Sequence, residues 1–126
     1  MGEFLIKETV ATPSVELLHA ENKIMIKGSS RLEDPSSFYT ELIGLIEDHL
    51  TKYKNQLRID FYFIYINTSS SKWLFFILKN LQVRYLGKKL ISVYWYYDED
   101  DEIIQEAGEV FQSTLQLPFN LVSVSV

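Results

Sequence analysis

The sequence contains no cysteine, which removes disulfides, thiol nucleophiles and cysteine-ligated metals together. Histidine is scarce too: His19 and His49 are the only two, too few for a histidine-rich metal site. The five glycines (Gly2, Gly28, Gly44, Gly87 and Gly108) stand apart, so no glycine-rich loop is there to cradle a phosphate. No serine-centred nucleophile elbow occurs. A hydrolytic triad would have to recruit His19 or His49, and nothing in the spacing brings either beside a serine. The longest apolar runs, such as Phe61–Ile66 and Trp73–Leu78, fall well short of the roughly 18 residues a membrane-spanning helix requires. The first residues lack a cationic stretch leading into an apolar one, so no secretory signal is expected. The expectation is a soluble, cytoplasmic protein.

Positive charge is missing from the last part of the chain. From Leu90 onward there is no Lys, Arg or His, against seven Asp and Glu. Residues 1–89 hold all 12 Lys and Arg against ten acids. The net charge of −5 therefore hides one strongly anionic surface. Phosphate binding needs clustered cations, so this division weighs against a nucleic-acid partner.

What is present is apolar and aromatic: 47% hydrophobic residues, with eight Tyr, eight Phe and two Trp in 126 residues. Such a composition is incompatible with intrinsic disorder, and the length suits a single domain over residues 1–126. Phe4–Val10 and Val15–Leu18 read as short strands parted by Thr12-Pro13-Ser14. Val15–Leu18 and Lys23–Lys27 read as a hairpin around Ala20-Glu21-Asn22, with Ile24 and Ile26 on one face. Asp34 then suits an N-cap and Pro35 a first helical position. Phe38, Leu42, Ile46 and Leu50, joined by Ile43 and Tyr53, form the apolar stripe of a first helix. Leu57–Ile66 reads as a central strand buried on both faces.

A polar run, Asn67–Ser71, leads into an apolar helix from Trp73 to about Val83. Lys89–Tyr97 is the next strand, Asp98–Glu102 opens a third helix, and Leu121–Val126 alternates as a final strand. The order after the N-terminal hairpin is αβαβαβ. It implies right-handed crossovers and largely parallel strands, hence an α/β sandwich on a mixed sheet with about three helices.

Three constellations carry chemical interest. Thr68, Ser69, Ser70 and Ser71 stand where a parallel strand gives way to a helix, a place where ligands and modifications are commonly read. Capping by Thr68 or Ser69 is the simplest account. One cap would suffice, however, and Lys72 sets a cation against the helix dipole, which suits an anion or an acidic partner. The second constellation is Tyr96-Tyr97-Asp98-Glu99-Asp100-Asp101-Glu102. Acids in a first helical turn are stabilising, yet five in succession repel one another. They lack the alternation and glycine of a calcium loop, so partner docking is the better reading and no metal is expected. In the third, Leu74, Ile77, Leu78 and Leu81 already supply a core stripe, which leaves Trp73 and Phe76 on an adjoining face. That pair is either buried or an interface.

Taken together these segments resemble the SiaC family of bacterial regulatory phosphoproteins, similar in fold to the STAS domains of anti-sigma factor antagonists. The resemblance rests on Thr12-Pro13-Ser14-Val15, Asn67-Thr68-Ser69-Ser70-Ser71-Lys72, Trp95-Tyr96-Tyr97-Asp98-Glu99-Asp100-Asp101, Glu106-Ala107-Gly108 and Leu117-Pro118-Phe119. Around Arg31-Leu32 the family's aromatic and proline are missing. The resemblance implies a non-enzymatic partner switch without a cofactor. Its threonine, Thr68 by motif position, is phosphorylated by a dedicated protein kinase and restored by a PP2C-type phosphatase. The unphosphorylated form binds and activates a diguanylate cyclase, raising cyclic di-GMP and favouring biofilm growth. Asn67, Ser69, Ser70, Ser71, Lys72, Trp73, Phe76, Tyr97, Asp98, Glu99, Asp100 and Asp101 are the expected partner-binding residues. Two other readings stay open: an interaction module of a sigma-factor pathway, and a divalent-cation or ligand-binding domain using Asp98–Glu102. If the strands before Asn67 and Asp98 are parallel, both polar runs share one sheet end, and a phosphate on Thr68 joins an edge already rich in acids. That expectation favours a switch read by a partner over an internal phosphate pocket.

Overall fold

The computed structural model describes residues 2–52 and 56–125. In chain order it contains β1 (Gly2–Ile6), β2 (Ser14–Leu18), β3 (Lys23–Ser30), α1 (Ser36–Lys52), β4 (Gln56–Ile66), α2 (Thr68–Leu86), β5 (Leu90–Asp98), α3 (Glu102–Thr114) and β6 (Phe119–Val124). The strands form one six-stranded sheet whose spatial order is the chain order. The pairs β1–β2 and β2–β3 are antiparallel, and β3 to β6 run parallel. The mixed sheet, the N-terminal hairpin and three helices match the sequence expectation. β1 ends at Ile6, short of the expected Val10. Tyr53, expected on the apolar stripe, and Val126, expected in the last strand, lie outside the described residues.

Each local start has a chemical reason. A 3-10 turn over His19–Glu21 reverses the chain, and Asn22 completes it at φ 49°, a left-handed position that asparagine tolerates. Before α1, the Asp34 carboxylate accepts the Ser36 N–H at 3.2 Å and the Ser36 hydroxyl at 2.8 Å. These bonds hold the exposed Asp34 carboxyl below its ordinary value. Tyr39 N–H donates to Pro35 O, so Pro35 stands just before α1, one place short of the expected first helical position, while Asp34 accepts at the helix start as expected. Phe38, Leu42, Ile46 and Leu50 are buried as one stripe.

Every crossover advances the strand order by one position in the same direction. Right-handed crossovers of that kind put all three helices on one face of the sheet. The burial pattern follows: Leu57, Ile59, Phe61 and Phe63 of β4 and Ile91, Val93 and Trp95 of β5 are buried. Trp95 sits at the centre, with the Phe61, Phe63, Phe111 and Phe119 rings 5.5–6.1 Å away.

The expectation that Leu57–Ile66 is covered on both faces is corrected here. The alternate residues, Arg58, Asp60 and Tyr62, face away from the helices and are covered by side chains of the sheet itself. Arg58 grips Asp60 through Nε–Oδ1 at 2.8 Å and Nη2–Oδ2 at 3.1 Å. Its guanidinium lies 3.7 Å from the Tyr94 ring centroid and bonds the Tyr96 hydroxyl at 3.0 Å. Lys23 Nζ stands 3.9 Å from Asp60. Asp60 is thereby wholly buried on a face that none of the described helices covers. The Asp60 hydrogen bonds are the main reason the Arg58 guanidinium holds its proton more tightly than usual.

Candidate functional site

The site is built where β3 and β4 end and α2 begins. Gly28 adopts φ +129° and the β3–β4 register slips between Gly28 and Ser29. Glycine suits that backbone because an added Cβ would be strained there. Beyond the bulge, Ser30 ends β3 as a wholly buried residue.

Asn67 fastens α2 to this corner. Its carboxamide oxygen accepts the Ser70 N–H at 2.9 Å, and its Nδ2 donates to Leu32 O at 2.8 Å. Its own N–H donates to Ser30 O at 3.0 Å. Asn67 is therefore the cap, in place of the expected Thr68 or Ser69. The helix also begins earlier than the expected Trp73, so the hydroxyl run is its first turn.

The four hydroxyls divide by position. Ser70 is wholly buried, its Oγ 2.6 Å from Ser30 Oγ, which in turn lies 2.7 Å from the Tyr39 hydroxyl. Burial raises the Tyr39 phenol pKa, with the Ser30 bond opposing. This chain of three buried hydroxyls clamps β3, α1 and α2 together. Ser70, one of the expected partner-binding residues, is wholly enclosed in this clamp. Ser69 and Ser71 are half-buried, and Thr68 is exposed. Thr68 carries no capping duty and presents its side chain to solvent at a helix start.

One turn along α2, Lys72 is exposed. With Trp73 and Phe76 it lines a shallow depression of about 260 Å³. Trp73 is half-buried and stacks on Tyr39 at 6.3 Å. Phe76 meets Trp73 edge-on at 6.0 Å and is 54% exposed. The pair is thus anchored at the tryptophan and open at the phenylalanine. Leu74, Ile77, Leu78 and Leu81 fill the core-facing side, as their spacing predicts.

Sequence reasoning missed the end of β4. Its pairing with β5 stops at Tyr62–Tyr96, yet the strand continues, leaving Ile64 51% and Tyr65 42% exposed. Arg31 lies over the Tyr65 ring at 4.3 Å. The detectable signal was length alone, since this strand is longer than its partners.

The acidic run leaves the sheet at the same end, because β4 and β5 are parallel. Asp98 still belongs to β5 and accepts a hydrogen bond from the Tyr62 hydroxyl, which raises the Tyr62 pKa. Asp101 caps α3 by accepting the Ile104 N–H at 3.1 Å. The third helix therefore opens at Glu102, four residues later than Asp98. Tyr97 is half-buried against the core. Glu99 donates its N–H to Val124 O at 2.9 Å and, like Asp100, exposes its side chain. Asp98, Asp100, Asp101, Glu102 and Ile103 line an open cavity of about 560 Å³. Among the described residues, no three His, Asp or Glu side chains converge to hold a metal ion. His19 bonds Glu3 and His49 bonds Gln56 O, both at the opposite end of the sheet. No described helix is long and apolar enough to cross a membrane.

The model of the SiaC family regulatory phosphoproteins matches residues 6–124. The chain belongs to that family. It is 28% identical over 119 residues to an uncharacterized protein of Pseudomonas aeruginosa strain UCBPP-PA14, covering 94% of each chain. Its fold is similar to the chain matched in the crystal structure of diguanylate cyclase SiaD in complex with its activator SiaC from Pseudomonas aeruginosa. There the TM-score is 0.85 at 27% identity, over 94% of this chain and 98% of that one. SiaC of Pseudomonas aeruginosa gives a TM-score of 0.84 at 26% identity, over 97% and 99% of the two chains. The SiaC fold thus accounts for nearly the whole molecule, from the hairpin to β6.

Proposed function

We propose that this chain is a non-enzymatic, cytoplasmic partner switch of the SiaC type, acting as one domain. Its unphosphorylated form binds and activates a diguanylate cyclase. A protein kinase phosphorylates Thr68 and so releases the cyclase, and a PP2C-type phosphatase restores binding. One observation carries the reading: of four consecutive hydroxyl residues, Thr68 alone is exposed, with capping done by Asn67 and the clamp by Ser70. Membership of a family of regulatory phosphoproteins supports it, as does the likeness to a cyclase activator.

The physics of the switch is local. A phosphate adds about −1.5 to −2 charges at neutral pH. At a helix N-terminus that charge suits the dipole, so the domain keeps its fold. Under a partner surface the same charge, buried and unpaired, costs several kcal/mol, and about 2.7 kcal/mol already weakens binding a hundredfold. The test is intact-mass analysis after incubation with the cognate kinase and ATP. The wild type gains one phosphate and Thr68→Ala gains none. Calorimetry with the cyclase should show Thr68→Glu binding at least tenfold more weakly. A phosphate still added to Thr68→Ala, or an unchanged Thr68→Glu affinity, rejects the proposal.

A further inference from the structure

Lys72 is placed against the ordinary logic of a helix start. It stands in the first turns of α2, where the dipole disfavours a cation, and it is exposed. Among the described residues no carboxylate pairs with it, as none pairs with Lys7, Lys27, Lys79 or Lys88, whereas Lys23, Lys52, Arg58 and Arg84 each face one. It is four residues beyond Thr68, and side chains spaced by four are neighbours on a helix surface. On its other side it borders the depression formed with Trp73 and Phe76.

We infer that Lys72 is the switch's charge reader. In the unphosphorylated protein it pairs with a carboxylate of the partner while an adjoining apolar side chain of that partner enters the Trp73–Phe76 depression. In the phosphorylated protein it pairs with the phosphate on Thr68 of its own chain. An ammonium drawn onto the doubly charged phosphate is less available to the partner's carboxylate. Phosphorylation then acts twice, by adding negative charge and by withdrawing the cation the partner needs. The partner chemistry follows from charge and shape: an Asp or Glu beside an apolar residue. This inference rests on the reading of Thr68 as the phosphorylated residue. It keeps the expectation of a switch read by a partner and adds one cation of the same chain beside the phosphate.

Two measurements test it, and they fail separately from the functional proposal. Protein carrying phosphothreonine at position 68, introduced during translation so that no kinase is needed, is titrated by ³¹P NMR at low salt. In the Lys72→Gln variant the phosphate should be a roughly two- to threefold weaker acid, with the difference vanishing at 1 M NaCl. Calorimetry with the cyclase then compares four proteins: with or without phosphate, and with Lys72 or Lys72→Gln. Without phosphate, Lys72→Gln should weaken binding about fivefold or more. With phosphate it should change the residual affinity by less than twofold, because Lys72 is already engaged. An unchanged phosphate acidity, or an equal loss in both phosphorylation states, overturns the inference. If no form binds the cyclase, the functional proposal fails and the NMR result still decides the intramolecular pair.

Discussion

At the scale of single residues, two glycines of similar helical setting have opposite meanings. Gly108 lies where α3 rests on the sheet. A Cβ there would meet Trp95 Cδ1 at 2.4 Å, Trp95 Nε1 at 2.7 Å and Leu121 Cδ2 at 2.7 Å. Trp95 cannot yield cheaply, because its ring is wholly buried and its Nε1 donates to Ile104 O at 2.9 Å. Gly44 sits in the middle of α1 with nothing within 4 Å of the added atom. Gly108→Ala should therefore destabilise by about 2–3 kcal/mol through overpacking. Gly44→Ala should stabilise by about 0.5–1 kcal/mol, since alanine loses less backbone freedom on folding. Urea denaturation of the two variants measures both, and a Gly108→Ala protein as stable as wild type rejects the close-contact account. The sequence marks Gly108 only as part of a family resemblance. The physical reason, a tryptophan under the helix, needs the tertiary structure.

At the scale of elements, strand and helix order was legible because hydrophobic period and turn chemistry agree along most of the chain. Boundaries failed where side chains serve distant elements. Asn67 and Ser70 read as partner-binding residues, yet they fasten α2 to Leu32 and Ser30, far away in sequence. The exposure of Phe76 was equally unreadable, since an apolar helix position does not declare whether anything covers it. The largest miss was the helix-free face of β4. A run rich in aromatic and β-branched residues looks doubly covered, but here the second cover is made of side chains. Arg58 is the keystone of that cover, lying on Tyr94 and bonding both Asp60 and Tyr96. Arg58→Ala leaves the Asp60 carboxylate buried without its bidentate partner, and should destabilise by about 3 kcal/mol. Arg84→Ala removes an ion pair to Glu47 that joins α1 to α2 at the surface, and should cost about 1 kcal/mol or less. Comparable chemical-denaturation losses for the two would show that the open face is no more demanding than an ordinary surface.

At the scale of the whole molecule, ionisation sets a window of stability with identifiable shoulders. Burial raises the Tyr39 and Tyr96 phenols, and the bond to Asp98 raises that of Tyr62. Their contribution is full below about pH 10, the unfolded value, and is lost as the pH rises above it. The acid side differs. His49 lies buried in the last turn of α1, and burial pushes its imidazole pKa down, with the bond to Gln56 O opposing. The folded protein thus binds fewer protons than the unfolded chain as the pH drops past the unfolded histidine value of about 6.5. Stability is complete above that value and falls below it, until the folded imidazole itself protonates. Tm should therefore begin to fall near pH 6.5, well before most carboxylates titrate around pH 4. His49→Gln preserves a donor towards Gln56 O but cannot ionise. Its Tm should stay nearly flat between pH 6.5 and 5, where the wild type declines. An equal decline in both proteins would assign the acid shoulder to other groups. Because His49 and Thr68 lie at opposite ends of the sheet, the same substitution should leave phosphorylation of Thr68 unchanged when the kinase reaction is followed by intact mass. A loss of phosphate uptake would mean that the two ends are coupled through α1, whose Tyr39 reaches the buried hydroxyl clamp beneath the switch.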